Sequence, residues 1–138
     1  MKKFHFAFDL NKKNKVIKNY LIKKFKNYSA NLSDVIIVLG GDGFMLQTLK
    51  KYQKYNKPFY GINCGTFGFL MNKYKAHNIY KRIVKAKVVT ISPLQMNALT
   101  KFGKNINAVA INEVSLLRQS RQTAALQIVK GKKILIKK

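Results

Sequence analysis

The sequence predicts an α/β fold: an open parallel sheet over residues 1–87, followed over 88–138 by the opening part of a β-rich unit. Three observations predict it. Val35 to Leu39 is a run of five apolar, mostly β-branched residues without polar alternation, which marks a strand covered on both faces. Around it, strand-like and helix-like segments alternate as strand, helix, strand, helix, strand, the order that builds a parallel sheet. From Val88 onward the pattern changes to short alternating stretches of the kind that pair as hairpins.

The elements follow in chain order. Lys3 to Phe8 reads as the first strand, with phenylalanine at 4, 6 and 8 alternating against Lys3, His5 and Ala7. Asn11 to Tyr28 places Ile17, Tyr20, Leu21, Phe25 and Tyr28 on one face of an amphipathic helix, with lysines between them. Ser29 to Ser33 is a polar connector into the central strand. Past a glycine-rich turn, Met45, Leu46, Leu49 and Tyr52 recur at helical spacing up to a loop at Gln53 to Pro58. Phe59 to Asn63 is the third strand, and Cys64 to Leu70 is a second glycine-punctuated turn at the carboxyl edge of the sheet, where open α/β sheets bind ligands. A helix is expected over Ala76 to Ala86, with Ile79, Tyr80, Ile83 and Val84 inward. Strands are expected at Val88 to Ser92, Gln95 to Thr100, Ala108 to Arg118, Thr123 to Val129 and Ile134 to Ile136. His5 and His77 stand apart from any motif and read as structural.

Composition narrows the function classes. With 138 residues, 47% of them hydrophobic, the chain can bury a core but has no room for two complete domains. No run of eighteen apolar residues suggests a membrane span, and Asp9 interrupts the apolar start too early for a signal peptide. A single cysteine, Cys64, rules out an internal disulfide and a cysteine-based metal site, so a reducing cytoplasm is expected. The net charge of +24 invites a nucleic-acid partner, but only Arg82, Arg118 and Arg121 offer guanidinium forks. Lysine is spread beside abundant Asn, Ile, Tyr and Phe, a blend that AT-rich coding explains more simply.

Against that background the turn Gly40-Gly41-Asp42-Gly43 is conspicuous. It joins a buried strand to a helix N-terminus, whose N–H groups and positive dipole end favour phosphate. The glycines are expected to supply positive φ and bare backbone. Asp42 is one of only four acidic residues, with Asp9, Asp34 and Glu113. It has a bland alternative role, as a helix cap or turn stabiliser.

Three segments taken together go further: Leu39-Gly40-Gly41-Asp42-Gly43-Phe44-Met45-Leu46, Gly61-Ile62-Asn63-Cys64-Gly65-Thr66-Phe67-Gly68-Phe69-Leu70, and Ala110-Ile111-Asn112-Glu113-Val114-Ser115-Leu116-Leu117-Arg118. In this order and spacing the chain resembles the N-terminal half of the bacterial NAD kinases, over essentially its whole length. The resemblance implies a Rossmann-like nucleotide-binding domain at 1–87 and an incomplete N-terminal part of a β-sandwich-type, NAD-binding domain at 88–138. It implies phosphoryl transfer from ATP, or polyphosphate, to the adenosine-ribose 2′-hydroxyl of NAD. Asp42 would be the general base. Gly40, Gly41 and Gly43 would offer backbone to phosphates, Phe69 would lie against adenine, and Asn112 and Glu113 would hydrogen-bond the NAD. Mg²⁺ would arrive with ATP rather than in a protein-built metal site. A homo-oligomer, dimer or tetramer, is expected.

Family members continue into a further β layer with a Gly-Ser-Thr-Ala-Tyr-type turn before which this sequence stops. An incomplete cleft is therefore expected, which counts against activity of the chain by itself. Two other classes compete. A lysine-rich nucleic-acid module would use Lys50 to Tyr55 as an aromatic and basic stacking platform. A lipid kinase of the diacylglycerol or sphingosine type would share the glycine turn but leaves Gly61 to Leu70 without a purpose.

Overall fold

The computed structural model describes residues 1–9, 12–63, 65 and 68–137; Asn11, Cys64, Thr66 and Phe67, which figure above, lie outside the described residues. The chain forms two units, Met1–Thr90 and Ile91–Lys138.

The first unit is a Rossmann-like α/β layer structure. Its strands are β1 (Phe4–Phe8), β2 (Val35–Gly40), β3 (Phe59–Asn63) and the short β4 (Asn72–Lys73). They lie in the order β1-β2-β3-β4 and every pairing is parallel. The helices are α1 (Lys12–Lys24), α2 (Asp42–Tyr52) and α3 (Ile79–Val84). β2 is buried along its whole length because both faces are covered. Val35, Ile37 and Leu39 pack with Phe4, Phe6, Tyr60 and Ile62, under Leu21 and Phe25 beside α1 and Ile79 and Ile83 of α3. Ile36 and Val38 point the other way, onto Met45 of α2 with Phe44, Leu49, Tyr52 and Leu70 around it. This period-2 division turns an uninterrupted apolar run into a two-sided core.

Small differences from the sequence expectations have local causes. Helix α1 stops at Lys24 because the chain turns back along β1, where the Tyr28 N–H donates to the Phe4 carbonyl. The third helix is shorter than expected and Val84 faces outward, whereas Ile79 and Ile83 are buried in the core and Tyr80, as expected, packs against it beside Phe4 and Phe25. β4 was not foreseeable from a two-residue stretch. His5 is structural: its Nδ1–H donates to the Tyr28 carbonyl at 2.8 Å and its ring meets Tyr52 edge-on.

The second unit holds two antiparallel hairpins, β5 (Leu94–Leu99) with β6 (Asn105–Ala110) and β7 (Gln127–Lys130) with β8 (Lys133–Lys137). The expected strand Val88 to Ser92 is absent, and the expected strand Ala108 to Arg118 ends at Ala110. The reason is pairing. Leu94 pairs with Ala110 at the end of the ladder, and Pro93 immediately before it has no N–H with which to extend the ladder. Residues 123–126, expected to open β7, likewise lie outside it.

Candidate active site

The carboxyl ends of β1, β2 and β3 bring the predicted turn residues together. Gly40, the last residue of β2, pairs with Asn63, the last of β3. On the other side the Asp9 N–H donates to the Leu39 carbonyl at 2.9 Å. Gly41 is the N-cap of α2, and among the described residues no side-chain capping bond is made there, so the first N–H groups of the helix are presented to the turn.

The glycines supply the expected bare backbone but not the expected positive φ. None of Gly40, Gly41 and Gly43 has positive φ; Gly41 is extended, at φ −106° and ψ −177°. Their value is space. A β-carbon on Gly40 would lie 2.9 Å from Phe44 Cδ1 and 3.1 Å from Asp9 Cβ, whereas one on Gly41 or Gly43 would meet nothing within 4 Å. Gly40 is thus required by packing, while Gly41 and Gly43 leave open backbone beside the helix N-terminus.

Asp42 does not cap its own helix. Its carboxylate instead crosses to the second glycine turn, where the Phe69 N–H donates to Oδ2 at 2.7 Å and the Leu70 N–H donates to Oδ1 at 3.1 Å. Each oxygen retains acceptor capacity, because an ionised carboxylate has about four lone-pair sites. Phe69 is fully exposed, at 102% relative accessibility, so its ring is free to meet a ligand. Leu70 packs against the α2 side of the sheet.

Two residues not assigned as site residues from sequence complete this edge. Asn63 Oδ1 accepts the Gly65 N–H at 2.7 Å and so fixes the start of the second turn. Gly68 sits between the two polar groups, and a β-carbon there would lie 3.0 Å from Asp42 Oδ1 and 3.1 Å from Asn63 Nδ2. Both belong to the Gly61 to Leu70 element, so the signal was present in the glycine spacing. Asn112 and Glu113 are in the second unit, exposed, in an irregular segment after β6 rather than within a strand.

A match to the profile of the ATP-NAD kinase N-terminal domain covers residues 1–89. The chain belongs to the NAD kinase family. Relatives carrying the name NAD kinase include one from Zymomonas mobilis, 48% identical over 118 residues, which cover 83% of this chain and 46% of that protein. Another, from Brucella suis, is 42% identical over 124 residues, or 90% of this chain and 48% of its own length. A third, from Mesorhizobium japonicum, is 51% identical over 94 residues, or 68% and 37%. The chain thus spans about half the length of the first two relatives. These comparisons lend nothing to a nucleic-acid module or a lipid kinase. The Lys50 to Tyr55 platform is also undercut locally, because Tyr52 and Tyr55 pack against the α2 side of the NAD kinase sheet.

Proposed function

We propose that this chain supplies the nucleotide-binding half of an NAD kinase site, in which a phosphoryl group passes from ATP or polyphosphate to the adenosine-ribose 2′-hydroxyl of NAD, giving NADP. The observation that carries the reading is the Asp42 carboxylate, held at the carboxyl edge of a parallel sheet between an uncapped helix N-terminus and an exposed aromatic ring. A sugar hydroxyl is a weak nucleophile at neutral pH, and a carboxylate within hydrogen-bond reach accepts its proton as the bond to phosphorus forms. Asp42 takes that role. The backbone at Gly40, Gly41 and Gly43, with the first turn of α2, receives phosphate oxygens. Phe69 offers a face to the adenine.

Residues 1–87 form the nucleotide-binding domain on this reading. Residues 88–138 contribute to a β-sandwich-type domain from which Asn112 and Glu113 reach the ribose hydroxyls and base edges of NAD. Among the described residues no three of His, Cys, Asp and Glu come together as a metal site. A divalent cation would enter with the donor, as Mg²⁺ carried by ATP, and would neutralise phosphate charge there. The same reading carries a cytoplasmic location and a homo-oligomeric assembly, which fractionation and light scattering test.

The deciding assay incubates the protein, produced from its complete reading frame, with NAD, ATP and Mg²⁺ and measures NADP. Formation above the enzyme-free control supports the proposal. No NADP with ATP and none with polyphosphate sinks it.

A further inference from the structure

NAD carries two riboses, each with a 2′-hydroxyl, so a kinase that modifies only one must tie its base to a feature of that half of the molecule. The two glycine turns contain such a tie. The peptide that presents the exposed Phe69 ring also donates its own N–H to Asp42 Oδ2, at 2.7 Å, and the next peptide donates to Oδ1, at 3.1 Å. Both oxygens of one carboxylate are thus held by consecutive backbone N–H groups, which restrict rotation about the bond to the carboxyl carbon. The arrangement depends on residue 68 having no side chain, because a β-carbon there would come within 3.0 Å of Oδ1, 3.1 Å of Asn63 Nδ2 and 3.1 Å of Met71 Cβ. Asn63 holds the other end of the turn through the Gly65 N–H.

We infer that the Phe69 and Leu70 N–H groups are a positioning clamp for Asp42, so that a purine stacked on Phe69 and the carboxylate beside its ribose are set by one backbone segment. This rests on the kinase reading for the roles of Asp42 and Phe69. The clamp selects the hydroxyl one glycosidic bond away from the stacked purine. Adenine binding therefore does more than retain the dinucleotide: it steadies the segment that aims the base, and binding energy from a remote group enters turnover. Gly68 and Asn63 are positioning residues, acting through Asp42 and the turn without needing to touch the substrate.

Two measurements test the inference, one of them independent of catalysis. In the folded chain, amide exchange at Phe69 and Leu70 is followed by NMR in the wild type and in Asp42→Ala, with the β2 amides as an internal check on the fold. The clamp predicts acceleration on the order of tenfold or more at those two amides, the loss of a charge-assisted bond, with β2 unchanged. Unchanged exchange at Phe69 and Leu70 beside a protected β2 overturns it. In the protein from the complete reading frame, Gly68→Ala is expected to lower kcat by about tenfold or more while the KM for NAD moves less than about threefold. Wild-type kcat in Gly68→Ala overturns the positioning role even if the exchange result holds. Absence of NADP formation by the wild type would instead remove the kinase reading and with it the positioning role, while the exchange arm still decides whether the clamp exists.

Discussion

The strands β2 and β8 are built from the same kinds of residue and are buried quite differently. β2, Val-Ile-Ile-Val-Leu-Gly, is buried at every position. β8, Lys-Ile-Leu-Ile-Lys, is exposed at every position, with Ile134, Leu135 and Ile136 each about half accessible. β2 has strands on both edges and helices on both faces, whereas β8 has a single partner strand in a two-stranded ribbon. Burial is a property of neighbours, and an isolated hairpin is at best marginally stable in water. The comparison also separates two tasks. The first unit has enough packing to hold a carboxylate and two turns in fixed relation, while the second, as a pair of ribbons, presents Asn112 and Glu113 on an irregular segment.

The largest expected effect sharpens this division by touching chemistry without packing. Asp42→Asn in the protein from the complete reading frame should lower NADP formation by about 10² to 10⁴, the range for losing a general base. The amide keeps an acceptor for one of the two clamp N–H groups and loses the other bond, at an edge away from the β2 core, so the circular dichroism should stay near wild type and the unfolding midpoint fall only slightly. Near-wild-type turnover would remove Asp42 from the role of base.

A pair of truncations tests the packing contrast itself. Ile37→Ala, in the middle of β2 and fully buried, should cost about 2–5 kcal/mol by lost transfer energy and a residual cavity. Leu135→Ala in β8 should stay within about 0.5 kcal/mol, as at an exposed position. Urea unfolding of the 138-residue chain measures both. Equal costs would mean that the second unit is packed as tightly as the first, which breaks the comparison.

A subtler effect is expected where a glycine is required by contact. Gly61 in β3 faces α2, and a β-carbon there would run into Met71 Sδ, approach Met45 Cε to 2.6 Å and reach the Leu70 carbonyl oxygen at 3.1 Å. Both methionine ends are flexible but the carbonyl is not, so Gly61→Ala should cost about 1–3 kcal/mol, the range for overpacking. Thermal unfolding checks it, and a neutral result would show that the methionines absorb the added methyl group.

Much of this was legible from the amino acids, for reasons that also mark where legibility ended. β2 could be read because Val35 to Leu39 is unbroken, and the two site turns because glycines punctuate apolar runs at a fixed edge. Bare backbone at Gly41 and Gly43 was readable, but positive φ was not the reason for these glycines, since sequence does not distinguish a glycine needed for positive φ from one, like Gly40, needed for space. The partner of Asp42 was invisible for a different reason: its acceptors serve backbone N–H groups 27 and 28 residues away, and every residue except proline has such a group. The strand expected at Ala108 to Arg118 failed because alternation describes only one strand, whereas a ladder also needs a partner. Here that partner begins beside Pro93.

Charge produces the smallest expected effect and bears on both units alike. Of 28 lysine and arginine residues, at most four can each have an acidic residue to itself, which leaves 24 without one. Such an excess repels itself in the compact state. Raising NaCl from about 10 mM to about 150 mM shortens the screening length from about 30 Å to about 8 Å. The unfolding midpoint should therefore rise, by on the order of 1 kcal/mol or less, equivalent to a few degrees. A midpoint that falls with salt would mean that attraction outweighs repulsion in the folded chain. The same titration with single-stranded DNA present separates general attraction from a built nucleic-acid site, because binding driven by charge alone weakens steeply over this range. Affinity that survives at 150 mM would point to stacking contacts beyond the lysines, and with Tyr52 and Tyr55 packed against the sheet those contacts are not expected.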